Sequence, residues 1–258
     1  MSKRSPLASP PARFLLPAFL MLVLGGCQTT GLEDVTGALG VKSEAPAKAD
    51  ARPDMDALRE RYRARPSDPA MALEYGKALR DTGQRGQAVA VMEQAVLAHP
   101  SNKALLAGYG RALADNGNFQ QAFDVLSRAH TPEDPDWRIL SAQGAALDQL
   151  GRNEDAQQYY ASALKIVPDE PLVLTNLGLS YVLQNNLPRA EDTMRRAFER
   201  NPTDSRVRGN LALVLGLEGK QAEAETIVKG DLPPDQAAAK VTALRQLLTK
   251  KQQQRADK

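Results

Sequence analysis

Side chains able to do covalent or acid–base chemistry are scarce in this 258-residue chain: one cysteine, Cys27, and two histidines, His99 and His130. A single cysteine forms no intrachain disulfide and no cysteine-based metal cluster. Both histidines fall at inter-helix turns in the register given below. They have no second ligand at metal spacing and read as solvated turn residues. No Ser/His or Cys/His pair sits on adjacent elements, and no glycine loop has the form that cradles a phosphate. The sequence therefore points to no catalytic centre, no metal and no cofactor. What remains is lipid chemistry at Cys27 and recognition of another chain by amide, apolar and cationic side chains.

The setting of Cys27 is specific. Residues 1–26 begin basic (Lys3, Arg4, Arg13), turn apolar from Phe14 to Leu24, and end small at Gly25 and Gly26. That is the three-part pattern of a secretory signal peptide, with an apolar run too short for a comfortable membrane span. The tetrad Leu24-Gly25-Gly26-Cys27 resembles the lipobox of bacterial lipoproteins. The resemblance implies cleavage before Cys27 and acylation of its thiol. With Gln28 next instead of aspartate, it also implies the periplasmic face of the outer membrane. Each buried methylene contributes about 0.8 kcal/mol, so two or three acyl chains hold where one binds marginally. Residues 27–53, rich in Gly, Ala, Lys, Glu and Pro, have the composition of a flexible tether. Without residues 1–26 the chain carries thirty basic and thirty-one acidic side chains. That balance offers no cationic footprint for nucleic acid.

The elements that must position any docking residues are legible as a repeat. Gly76, Gly110, Gly144, Gly178 and Ala212 stand 34 positions apart, and so do Ala88, Ala122, Ala156, Ala190 and Ala224. A third series runs Ala95, Ala129, Ala163 and Ala197, and Pro100, Pro168 and Pro202 close three of the units. This pattern resembles the tetratricopeptide repeat, a 34-residue helix-turn-helix unit. The expected fold is all-α: a tetratricopeptide-repeat superhelix with a C-terminal capping helix. Five units spanning 67–232 start near Pro69, Lys103, Trp137, Pro171 and Ser205. Residues 54–66 form an N-terminal capping helix, and 233–258 form the C-terminal cap and a polar tail. A mid-helix glycine costs about 1 kcal/mol relative to alanine, so packing has to offset it. The reading assigns that packing to the alanine at the twentieth position of each unit, docking against the bare backbone of the eighth. Gly83, Gly117, Gly151 and Gly219, with Asn185, mark the turns after each first helix.

The resemblance also implies a concave face lined by the first helix of each unit. In register, its early units offer Lys77, Arg80, Asp81, Arg111 and Asp115. The later ones offer Leu172, Asn176, Leu179, Val182, Leu183, Asn210, Leu213 and Leu217. Leucines giving affinity and amides pairing with a ligand backbone would suit a peptide; the competing reading covers this strip with the C-terminal helix. The wording from Asn176 to Ala224 is similar to the TadD lipoproteins of the tight-adherence (Flp) pilus system. That similarity implies a non-catalytic scaffold whose partner is an outer-membrane secretin or another pilus-assembly component, with a lipid anchor to the membrane and no small-molecule substrate. The same architecture serves adaptors for cell-wall hydrolases or other envelope complexes, and self-associating scaffolds.

Overall fold

The structure is a computed structural model that describes residues 54–256 apart from Asp231. The signal segment, the lipobox residues Leu24, Gly25, Gly26 and Cys27, and the tether lie outside these residues. Twelve α-helices follow one another among the described residues. The first, α1 (Met55–Ala64), precedes five helix pairs: α2 (Pro69–Asp81) with α3 (Arg85–Ala98), α4 (Lys103–Asp115) with α5 (Phe119–Ser127), α6 (Trp137–Gln149) with α7 (Asn153–Ile166), α8 (Pro171–Leu183) with α9 (Leu187–Arg200), and α10 (Ser205–Leu217) with α11 (Gln221–Lys229). The chain closes with α12 (Pro234–Ala256). We call the first helix of each pair A and the second B.

The A helices start where local chemistry places them. Asp68, Asn102, Asp136 and Asp204 each accept a hydrogen bond from a backbone N–H of the first turn. Pro69 and Pro171 occupy first-turn positions that need no donor. Each A helix is followed by a left-handed residue, with φ of 76°, 84°, 76° and 85° at Gly83, Gly117, Gly151 and Gly219 and 58° at Asn185. Two B helices are short. The second, α5, stops at Ser127, and beyond it Thr131 and Asp134, where the closing proline is missing, pair in an isolated bridge. The last, α11, stops at Gly230.

The eighth-position glycines do make room, but the occupant differs from the expectation. A methyl at Gly76 would lie 2.6 Å from Met92 Sδ, at Gly110 2.5 Å from Leu126 Cγ, at Gly144 2.7 Å from Tyr160 Cε1 and at Gly178 2.7 Å from Met194 Cε. These partners form their own 34-residue series and are essentially buried. The twentieth-position alanines are fully buried, but it is the larger side chain four residues later that fills the notch. Unit five confirms the logic of volume: Ala212 keeps its methyl, and the residue in the filling register shrinks to Val228.

The core falls into two large apolar clusters that meet at α6. Ile139 and Ala146 belong with units one and two, whereas Leu140 and Leu147 belong with units four and five. Between them run buried polar groups. His130 corrects the reading of a solvated turn residue: its Nε2 pairs with Gln143 Oε1 at 3.0 Å, and its Nδ1 is buried with no partner among the described residues. Gln143 in turn donates to Ser127 Oγ at 2.9 Å. His99 does end a helix at a turn, where its Nε2 meets the Ser67 carbonyl at 2.8 Å.

The C-terminal helix packs on α10 and α11, burying Ala237, Val241, Leu244 and Leu248. Leu248 sits against Gly216, where a Cβ would collide with it. The apolar stripe of α12 thus caps the end of the solenoid, whose terminal unit needs a polar outer face.

Candidate protein-docking groove

Successive A helices lie side by side, so residues at equivalent positions form a common face. The structure brings Leu172, Asn176 and Leu179 of α8 together with Arg206, Val207 and Asn210 of α10 around an open cleft of about 530 Å³. Asn201 and Asp204, from the loop between units, complete its rim. Its side chains are unequal. Leu172 is 45% exposed, whereas Leu179 and Asn210 are nearly covered at 3% and 4%. Asn176 donates its amide to Ser141 Oγ at 3.1 Å, tying α8 to α6.

The remaining apolar residues of the expected strip separate from this cleft. Leu213 is fully buried in the C-terminal core, so an acid placed there would lack water and a partner and would unfold unit five. Val182 and Leu217 are half-buried against the same core. Leu183 is exposed at the end of α8. The cap helix packs on α10, and its Val241, Leu244 and Leu248 belong to the same core cluster as Leu213, against which Leu217 packs. Leu172, Asn176, Leu179 and Asn210 still face the cleft.

At the other end of the face the character is ionic. Lys77 is exposed and pairs with Asp81 at 2.5 Å. Arg80 reaches across to Asp115 of α4 at 2.5 Å. Arg111 is half-buried, and its affinity for its proton is lowered by burial and then by the neighbouring cations Arg80 and Arg138. Arg138 lies with its guanidinium 4.4 Å from the Trp137 ring centroid.

The sequence reading missed Asp148 altogether. It is 6% exposed and accepts hydrogen bonds from Asn153 Nδ2 at 2.8 Å, Tyr160 Oη at 2.9 Å and Ser180 Oγ at 2.7 Å, joining α6, α7 and α8. Burial raises its carboxyl above the ordinary value despite these three donors. Only the tertiary approach of α8 reveals the cluster, because its members are up to 32 residues apart. It is structural: the oxygens are committed to the protein's own donors. Among the described residues no group of three or more His, Asp or Glu could hold a metal ion. No described helix is long and apolar enough to cross a membrane.

Stacked helix pairs with an open face of A helices define a helical-repeat solenoid. Residues 76–136 and 149–214 each match a model of the tetratricopeptide repeat, and the fold is that of a tetratricopeptide-repeat solenoid. Among solved structures, human IFIT1 bound to m7Gppp-AAAA superposes with a TM-score of 0.59 at 16% identity, over 70% of this chain and 46% of IFIT1. The chain thus spans about half the length of that protein. The tetratricopeptide-repeat protein TTC0263 of Thermus thermophilus gives a TM-score of 0.56 at 20% identity, over 62% of this chain and 88% of its own. YrrB, a tetratricopeptide-repeat protein with an unusual peptide-binding site, gives 0.47 at 15% identity, over 72% and 97%. No curated protein sequence matches the chain.

Proposed function

We propose that this chain is a non-catalytic docking scaffold, held at the periplasmic face of the outer membrane by acyl chains on Cys27, that assists assembly of a tight-adherence pilus by capturing a segment of its secretin. The open cleft between the A helices of units four and five carries the docking reading. It joins the exposed Leu172 to Arg206, a pairing of an apolar contact with a polar group that can seat and orient a peptide side chain. The anchor and the pilus role are supported by the lipobox and by the wording of units four and five.

A photo-crosslinker placed at Leu172 in intact cells tests the partner. Capture of the secretin supports the reading, and capture of a cell-wall hydrolase overturns the pilus assignment. Leu172→Asp should weaken capture about tenfold, a loss near 1.4 kcal/mol, and leave the melting temperature unchanged because the side chain is already half in water. Cys27→Ser should abolish incorporation of labelled palmitate and release the protein from membranes; retention on the membrane would remove the anchor.

A further inference from the structure

Carboxylates outnumber cations around the cleft between α8 and α10. Glu170, Asp204 and Arg206 line it, two acids against one base. The charge of Arg206 is matched by Asp204, which lies 3.3 Å from its guanidinium and accepts its backbone N–H at 2.8 Å. Glu170 has no such match. It directly precedes α8, but its side chain does not cap that helix as the aspartates and the asparagine cap the other A helices. Its chain neighbour Asp169 takes both Arg196 and Arg200 of α9, each at 2.6 Å. Among the described residues no hydrogen bond or ion pair engages the Glu170 carboxylate. Two residues on, Leu172 keeps 45% of its surface exposed, in a cleft that the buried Leu179 and Val207 also line.

An open leucine and an unmatched carboxylate in one cleft are complementary to a segment that brings an apolar group and a cation together. Opposite charge across an interface fixes register and partner, and like charge is penalised. The volume of about 530 Å³ falls within the roughly 300–1,000 Å³ of sites that enclose a ligand group. We propose that this cleft binds a partner segment carrying a large apolar side chain, such as leucine, within a few residues of a lysine or arginine. The apolar group lies on Leu172 and Val207, and the cation pairs with Glu170. This assignment rests on the docking reading of the same cleft and adds the chemistry of the segment that docks. An acidic segment is disfavoured, because Glu170 and Asp204 against Arg206 leave the lining with one negative charge in excess.

The test uses the full chain and a fluorescent decapeptide made of two copies of Lys-Ala-Leu-Ala-Gly, beside peptides in which Gln or Glu replaces Lys or Ser replaces Leu. The Lys peptide should bind about tenfold tighter than the Glu peptide, and exchange of its Leu for Ser should weaken it as much. Glu170→Gln should erase the margin of the Lys peptide over the Gln peptide, whereas Glu133→Gln, on the exposed loop between units two and three, should preserve it. Leu172→Ser should weaken the Lys peptide. Equal binding of the Lys and Glu peptides, no binding of the Lys peptide, a margin that survives Glu170→Gln, or undiminished binding in Leu172→Ser would overturn the proposal. So would sedimentation of the chain alone as a dimer that Leu172→Ser dissociates, since the cleft would then belong to a second copy. Glu170→Gln should melt with the parent; an earlier melt would assign the carboxylate to the start of α8 and overturn its role in binding. Capture of the secretin at Leu172 without any preference for the Lys peptide would sink this proposal and leave the docking reading standing, and a Lys preference without capture would do the reverse.

Discussion

Glycine and its filler act as one unit in each repeat, and their chemistry differs from unit to unit. At Gly178 the filler is Met194, whose three side-chain torsions let it retreat; at Gly144 it is Tyr160, whose ring is held by the hydrogen bond of its hydroxyl to Asp148. Gly144→Ala should therefore destabilise by about 1–3 kcal/mol, the range for overpacking a tight core. Gly178→Ala should come out near neutral, because alanine recovers about 1 kcal/mol of helix propensity. Urea denaturation of the two variants checks the difference; equal effects would show that the ring is free to move. Asp148 adds a pH signature to the same site. Its folded carboxyl titrates above its unfolded value because it is buried. The stability it contributes is therefore complete below the unfolded value and declines as pH rises through the folded one. Melting curves between pH 4 and 8 should show the parent losing ground to Asp148→Asn as pH rises; parallel curves would disprove the burial argument.

At the scale of elements, the sequence announced its A helices almost to the residue, since Asp, Asn and Pro at their starts and Gly or Asn at their ends are local signals. The signals of the 34-residue register did not announce that α5 ends at Ser127, ahead of a local turn in which the Asp134 N–H meets the Thr131 carbonyl at 3.1 Å beside Pro132 and Pro135. Nor could they separate Leu179 and Leu213, buried, from Leu172, exposed, although all sit on A helices at comparable register. That distinction depends on which neighbour lies above each side chain. The cap helix is a case where one residue on each side decides. Leu248 occupies the notch over Gly216, so Gly216→Leu should lift α12 and expose Val241 and Leu244. Limited proteolysis should then remove the chain beyond Pro234 at a protease concentration that leaves the parent intact. Leu248→Ala, which empties the same notch without a clash, should cost about 2–5 kcal/mol. Resistance of both variants would mean that α12 is held elsewhere.

Across the whole molecule, a solenoid is as stable as the joints between neighbouring units, and each joint opens on its own terms. The joint between units four and five is ionic on its outer side. Glu191 of α9 receives Arg195 at 2.7 Å and Lys220 at 2.5 Å, while Arg195 also reaches Glu223 of α11 at 2.6 Å. Burial alone would raise the Glu191 carboxyl, but hydrogen bonding with Lys220, Glu218 and Arg195 outweighs it and brings the value down to about 2. Asp169 is also held low, by Arg196 and Arg200. Asp204 is held low by Arg206 and backbone N–H groups working against burial. All three lie in the C-terminal half. A carboxyl held below its unfolded value contributes stability above that value and loses it as pH falls toward the folded one; for Glu191 the window runs from about 4.5 down to about 2. Hydrogen exchange at pH 3 should therefore show α9, α10 and α11 opening before α2 and α3, with the order weakened in Glu191→Gln, which has already surrendered the charge. Uniform loss of protection along the chain would mean that acid melts the solenoid as one cooperative body, and the joint would then have no independent stability to lose.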